Sequence, residues 1–235
     1  MVQLIFELAT PEPPTFANFL PGPNREVVAA LARVAGGEGT ETGMVLWGPP
    51  GVGKPHLLRA TAAAAEARRP VQFWADPMSV PSDAPAASAL VLVDAVDKAD
   101  PAAQGRLFTL YNALKAAGGT LVAAAELPPA RMPLRDDVRS RLGWGLVYEV
   151  LPLADEDKPA ALATYARSRG FTLGDDVIAY LLAHGRRDMT SLMTTLAALD
   201  RHSLASKRPI TTPLLREWMQ RGLRFSGPGG GDRPR

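Results

Sequence analysis

Residues 48–55, GPPGVGKP, nearly match the phosphate-binding pattern G-x-x-x-x-G-K-[ST]. In such loops the glycines let backbone N–H groups surround a phosphate, the lysine contacts its charge, and the final hydroxyl ligates magnesium. Gly48, Gly53 and Lys54 stand at their expected positions, but Pro55 replaces the serine or threonine. Because proline has neither a hydroxyl nor a backbone N–H, a metal ligand and a phosphate donor are lost together.

The loop follows a predicted strand and opens a predicted helix, which is the setting that the motif requires. Gly51 and Val52 complete the candidate phosphate contacts. Losing one charge-assisted hydrogen bond costs roughly 1.5–3 kcal/mol, which is about one to two decades of affinity. Pro55 also disfavours helical geometry at Lys54. We expect weak binding of ADP or ATP without efficient magnesium-supported turnover; the alternative is a plain turn that serves as scaffold.

Asp94 ends the apolar run ALVLVD and is the candidate acid that holds magnesium. In an ATP hydrolase of this architecture the next residue is an acid that polarises the attacking water, but here it is Ala95. Asp97 would lie about 6–7 Å further along an extended chain. The sequence favours solvated loop carboxylates for Asp97 and Asp100. We therefore do not expect the chain to hydrolyse ATP well by itself.

Composition excludes several classes of function. The 26 basic and 24 acidic residues leave a net charge of +2, which gives no argument for nucleic acid as the main partner. The absence of cysteine excludes disulfides and thiol chemistry, and three scattered histidines predict no metal site. Neither a leader pattern nor an 18-residue apolar run occurs, so a cytoplasmic protein is expected.

Strand and helix patterns alternate along the first two thirds of the chain, and only helix patterns follow. Predicted strands cover 43–48, 71–75, 89–94, 120–126 and 146–153, with helices at 25–35, 57–69 and 105–117. This alternation predicts an α/β domain with a parallel sheet flanked by helices, followed by a small all-α domain. We place an N-terminal peptide at 1–10, the α/β domain at 11–153, the helical domain at 154–224 and a disordered tail at 225–235.

Five segments together resemble the DnaA family of AAA+ proteins, and within it the Hda-type regulators that inactivate DnaA. They are PTFANFLPGPN (the entry segment), LWGPPGVGKPHLL (Walker A), LVLVD (Walker B), SRLGWG (box VII) and LPLADEDKPAALATYARSRGF (the start of the lid). The resemblance covers residues 3 to about 222 and implies a AAA+ P-loop domain with a helical lid. The chain stops where the family's DNA-binding domain would follow, so origin recognition is not expected.

The resemblance also gives the N-terminal peptide a partner. QLIFEL is similar to short peptides that dock on the bacterial sliding clamp, the β subunit of DNA polymerase III. The Gln3 amide would make specific hydrogen bonds, while Leu4, Phe6 and Leu8 would fill an apolar pocket. The alternative is an ordinary strand at a sheet edge.

Arg141 in SRLGWG stands where the family has its arginine finger. A finger supplied in trans stabilises charge on the γ-phosphoryl group and is worth about 10³–10⁵ in rate. The resemblance implies a negative regulator of replication initiation that docks on the clamp, associates with the nucleoid through it, and stimulates hydrolysis of DnaA-bound ATP. The alternative for Arg141 is a structural ion pair with Asp136, Asp137 or Glu149.

Other positions depart from the family pattern. Thr190 stands where the family's lid carries the sensor-2 arginine, and Arg186 and Arg187 precede it. Trp47 and Trp144 are expected in the core rather than as base-stacking platforms. Two other functions stay open: a self-sufficient P-loop ATPase of the helicase-loader type, and a clamp-binding module with a vestigial AAA+ body.

Overall fold

The computed structural model of the chain describes residues 13–39, 41–186 and 188–225. By internal contacts the chain divides after Asp157 into two compact units. The first unit holds the sheet and the second holds helices, which confirms the predicted order of an α/β part followed by an all-α part.

Five parallel strands form one sheet in the order β2-β3-β4-β1-β5. Their bounds are Gly43–Trp47 (β1), Val71–Trp74 (β2), Leu90–Val93 (β3), Thr120–Ala125 (β4) and Leu146–Glu149 (β5). The strands β3 and β4 are buried along their whole length, which explains their uninterrupted apolar sequences. The last strand ends at Glu149, four residues before its predicted end.

Helices cover both faces of this sheet. The helices α1 (Arg25–Gly36) and α2 (Lys54–Ala65) pack on one face, against Met44 and Leu46 of β1. The helices α3 (Pro101–Ala117) and α4 (Asp136–Gly143) pack on the other face, against Val45. Alternate residues of β1 thus enter different apolar clusters, as the pleat of a strand requires.

The helix α3 begins at Pro101, four residues earlier than its apolar pattern predicts. The Asp100 side chain accepts a hydrogen bond of 2.7 Å from the backbone N–H of Ala103. Aspartate at the N-cap and proline at the first helical position determine where α3 begins, and the spacing of apolar residues does not reveal this start.

The second unit contains α5 (Lys158–Ser168), α6 (Asp175–His184), α7 (Met189–Ser206) and α8 (Thr212–Phe225). Leucines from all four helices form its own apolar cluster, among them Leu162, Leu181, Leu196 and Leu214. The Arg169 and Asp200 side chains are buried and pair at 3.3 Å. Among the described residues, none of the helices has the length and apolar character needed to cross a bilayer.

Gly145 joins α4 to β5 at a point where two backbones touch. A Cβ atom on Gly145 would overlap the carbonyl oxygen of Gly43, the first residue of β1. Any side chain here would push β5 away from β1.

We therefore expect Gly145→Ala to lower the free energy of unfolding by about 1–3 kcal/mol, the usual cost of overpacking. Gly105→Ala is the matched control, because its Cβ would meet nothing within 4 Å and it lies inside α3. Alanine is a better helix former than glycine, so this control should be neutral or stabilising by up to about 1 kcal/mol. Urea denaturation measures both, and equal effects of the two changes would contradict the close-approach argument.

Candidate functional site

The phosphate-type loop lies between the carboxyl end of β1 and the start of α2. Two of its glycines are sterically required. A Cβ on Gly48 would overlap the carbonyl oxygen of Val150, and a Cβ on Gly53 would lie 2.8 Å from the Phe19 ring. Gly53 also has a φ of +97°, in the region that favours glycine.

Lys54 is buried and is held by the loop itself. Its Nζ donates to the carbonyl oxygens of Gly48 at 2.6 Å and Pro49 at 2.9 Å. Burial lowers the pKa of Lys54, and the nearby charges of Asp94, Glu126 and Asp97 oppose that shift. The ammonium group therefore has two backbone acceptors and three acidic neighbours within the chain itself.

Pro55 is exposed in the first turn of α2. The expectation that it would keep Lys54 out of helical geometry is wrong, since α2 begins at Lys54. The first helical hydrogen bond runs from the N–H of Leu57 to the carbonyl of Gly53 at 3.0 Å. A proline at this position loses no helical hydrogen bond, so the substitution is compatible with the fold while it removes the donor and the hydroxyl.

Asp94 follows β3 and is half-buried. Its Oδ1 accepts a hydrogen bond of 2.8 Å from the N–H of Ala95. Burial raises the pKa of Asp94, whereas that hydrogen bond and the charge of Lys54 act in the opposite direction. Asp94, the candidate magnesium ligand, is thus close enough to Lys54 for their opposite charges to attract each other.

Asp97 differs from its predicted solvated position. Ala95 has φ 51° and ψ 38°, and a short 3₁₀ turn over Val96–Lys98 follows it. This bend buries Asp97 to 9% exposure, with Oδ2 accepting from the N–H of Glu126 at 3.2 Å. Its Oδ1 is buried with no hydrogen-bond partner among the described residues. The left-handed conformation of Ala95, which the sequence does not signal, is what turns this carboxylate inward.

Arg141 lies in the last turn of α4, and three contacts hold it. Its Nε donates to Oδ1 of Asn112 at 3.0 Å and its Nη1 to the carbonyl of Asp137 at 3.1 Å. The guanidinium carbon lies 3.7 Å from the centre of the Phe108 ring. Phe108 and Asn112 belong to α3, about thirty residues away in sequence, so no local pattern points to them.

Two of the three acidic residues proposed as ion-pair partners of Arg141 pair with other arginines. The Asp136 side chain pairs with Arg139, and Asp137 pairs with Arg135 at 2.7 Å. The described residues give Arg141 no ion pair, so its anchoring is by aromatic stacking and neutral acceptors instead.

Trp144 is not a core residue, contrary to expectation, because its side chain is 58% exposed. Its ring meets Tyr111 edge-on at 6.4 Å, and Lys115 Nζ and Arg141 Cζ lie 5.3 and 5.5 Å from its centre. Trp47, at the end of β1, is half-buried.

The remaining predicted positions divide into described and undescribed residues. Thr190 is exposed near the start of α7, and Arg186 pairs with Asp188 at 3.3 Å. Arg187 lies outside the described residues, as do the four peptide positions Gln3, Leu4, Phe6 and Leu8. Clamp docking therefore stays a prediction.

Comparison with known proteins identifies the fold and the second unit. Residues 155–219 match the family model "Hda, lid domain". Domain III of DnaA from Thermotoga maritima aligns with a TM-score of 0.77 at 18% identity, over 91% of this chain and 97% of that one. AMPPCP-bound DnaA from Aquifex aeolicus aligns with a TM-score of 0.67 at 18% identity, over 83% and 66%.

RuvB from Thermotoga maritima shares the same architecture, with a TM-score of 0.68 at 17% identity over 88% of this chain and 72% of that one. At such identities the likeness establishes the fold. Together with the match of residues 155–219 to the lid model, it supports a DnaA/Hda-like AAA+ protein, in agreement with the resemblance of the motifs.

Proposed function

We propose that this DnaA/Hda-like AAA+ protein is a negative regulator of replication initiation that stimulates hydrolysis of DnaA-bound ATP in trans. The observation that carries the proposal is the separation of Arg141 from the chain's own phosphate loop. The Arg141 carbonyl lies 3.9 Å from the position of a Cβ on Gly43, at the amino end of β1. The loop begins at the other end, and five strand residues span about 16 Å.

That distance exceeds the reach of an arginine side chain, which supports a role for Arg141 away from the nucleotide site of its own chain. Its contacts with Asn112, Asp137 and Phe108 instead support a guanidinium fixed before a partner arrives. A preorganised cation is what stabilises charge developing on a γ-phosphoryl group, because no reorganisation is needed during the reaction.

The chain's own nucleotide chemistry is proposed to be weak. Pro55 offers neither hydroxyl nor N–H, Ala95 replaces the water-polarising acid, and Lys54 already has two carbonyl acceptors. These features favour a site that binds ADP or ATP weakly, with little contribution from magnesium, and a protein that activates another ATPase rather than working as one.

One observation favours the alternative of a self-sufficient P-loop ATPase. Asp97 is buried beside the charges of Asp94 and Lys54, and its Oδ1 has no hydrogen-bond partner among the described residues. Such a carboxylate is placed to orient a water in place of the missing acid at Ala95. Rapid magnesium-dependent phosphate release by the chain alone would favour this alternative.

Pro55→Ser should strengthen nucleotide binding by about ten- to a hundred-fold, since one charge-assisted hydrogen bond is worth roughly 1.5–3 kcal/mol. Pro55→Ala is the matched control, because it returns the N–H without the hydroxyl. Calorimetry with ADP should show a magnesium-independent gain for alanine and a further magnesium-dependent gain for serine. Unchanged affinity in both variants would show that Pro55 does not limit binding.

Arg141→Ala should reduce the stimulated hydrolysis of DnaA-bound ATP by about 10³–10⁵, to the unstimulated rate. Arg139 provides the control, since it lies on the same helix and pairs with Asp136, and Arg139→Ala should keep most of the stimulation. Single-turnover conversion of DnaA–ATP to DnaA–ADP on clamp-loaded DNA measures both. Full stimulation by Arg141→Ala would instead favour a clamp-binding module with a vestigial AAA+ body.

The proposed location is the cytoplasm, with association to the nucleoid through the sliding clamp. Equilibrium binding to the purified clamp should be micromolar or tighter and should be lost in Gln3→Ala/Leu4→Ala. Glu7→Ala, which changes none of the four predicted contact residues of the peptide, should bind as the wild type does. If the wild-type chain does not bind the clamp, QLIFEL is not a docking peptide.

A further inference from the structure

We propose that Trp144, Lys115 and Arg141 form a docking surface, the Trp144 platform, for an apolar cleft bordered by anionic groups on a second AAA+ protein. The proposal rests on the proposed function, because the occupant is the ATP-bound partner that Arg141 serves. It adds the element that holds this partner in place while Arg141 acts on its nucleotide.

The exposure of Trp144 is unusual for the largest side chain type. More than half of its surface is open to solvent, while the helix α4 that carries it buries Val138 and Leu142 in the core. Tryptophan and arginine are the residues most enriched among those that dominate protein–protein binding energy. Here one of each lies in the same turn of the chain.

Two cations surround the ring. Lys115 Nζ and Arg141 Cζ both lie within 6 Å of its centre, the range in which a cation and an aromatic face attract each other. An incoming cleft that covers Trp144 must therefore also accommodate two positive charges. Carboxylates or nucleotide phosphates at its border would complement them.

The backbone beneath the platform is held close to the sheet. The backbone N–H of Trp144 donates to the carbonyl of Arg141 at 3.2 Å, which closes the end of α4. Gly145 comes next and is pressed against Gly43, so the chain has no room to shift there. Trp144 and Arg141 therefore come from the same turn at the end of α4, and a partner that binds Trp144 also lies next to Arg141, which Asn112, Asp137 and Phe108 hold.

Nucleic acid fits this surface less well than protein does. Two exposed acidic residues, Asp136 and Glu149, lie near Trp144 in the chain, and the net charge of +2 gives no argument for nucleic acid as the partner. The edge strand β5 follows with Leu146 36% and Val147 39% exposed, which continues apolar character beyond the platform. An aromatic and apolar centre with an arginine beside it is typical of a protein interface.

The test is the affinity of the full chain for the ATP-bound initiator, measured beside the rate of stimulated hydrolysis at saturating partner. Trp144→Ala should raise the apparent Kd at least tenfold, with most of the loss in affinity rather than in the saturated rate. Lys115→Glu should weaken binding in the same direction. The matched control is Leu204→Ala, whose side chain in the second unit is also 58% exposed; its affinity should equal that of the wild type.

Thermal melting checks that Trp144→Ala folds, and Lys115→Glu carries the test if it does not. Wild-type affinity in both variants, with stimulation intact, would overturn the platform and leave the proposed function standing. A wild-type chain that neither binds nor stimulates the initiator would overturn both. Loss of binding to a single-stranded oligonucleotide in Trp144→Ala, with initiator binding unchanged, would overturn the platform in favour of base stacking.

Discussion

The strand β1 is the constraint on which the functional geometry depends. Each of its ends is fixed by a backbone contact that only glycine permits: Gly145 against Gly43 at one end, and Gly48 against Val150 at the other. Between them, β1 is an internal strand of the sheet, paired with β4 on one side and with the edge strand β5 on the other. The phosphate loop and the arginine surface are therefore opposite ends of a single rigid element.

Much of this arrangement could be predicted from sequence, because it is encoded locally. Buried parallel strands have continuous apolar runs, and the glycine spacing of the loop follows from the space that each Cβ would occupy. The identity of Arg141 as a candidate came from the short segment SRLGWG, whose residues lie together in the chain. The role of Arg141 stays a prediction, but its selection as a candidate needed only this local pattern.

The errors concern residues whose surroundings come from elsewhere in the fold. Asp97 is buried because Ala95 adopts a left-handed conformation. Alanine tolerates that conformation, but an alanine in the sequence does not predict it. Trp144 is exposed although tryptophan usually packs inside, and the residues that hold Arg141 are on α3. Burial of one residue is decided by the docking of whole helices, and no window of the sequence contains that information.

The two carbonyl bonds of Lys54 have a consequence for how such a regulator would behave in a cell. These bonds hold the lysine without help from phosphate, and a nucleotide that binds weakly adds little stability, because a ligand stabilises the folded chain only where its concentration exceeds its Kd. On the proposed function, fluctuations in the cell's energy charge would then leave this protein's abundance and readiness unchanged. Such fluctuations would affect the regulator only through the nucleotide bound to its partner. The timing of replication would then not depend on the nucleotide occupancy of the regulator itself.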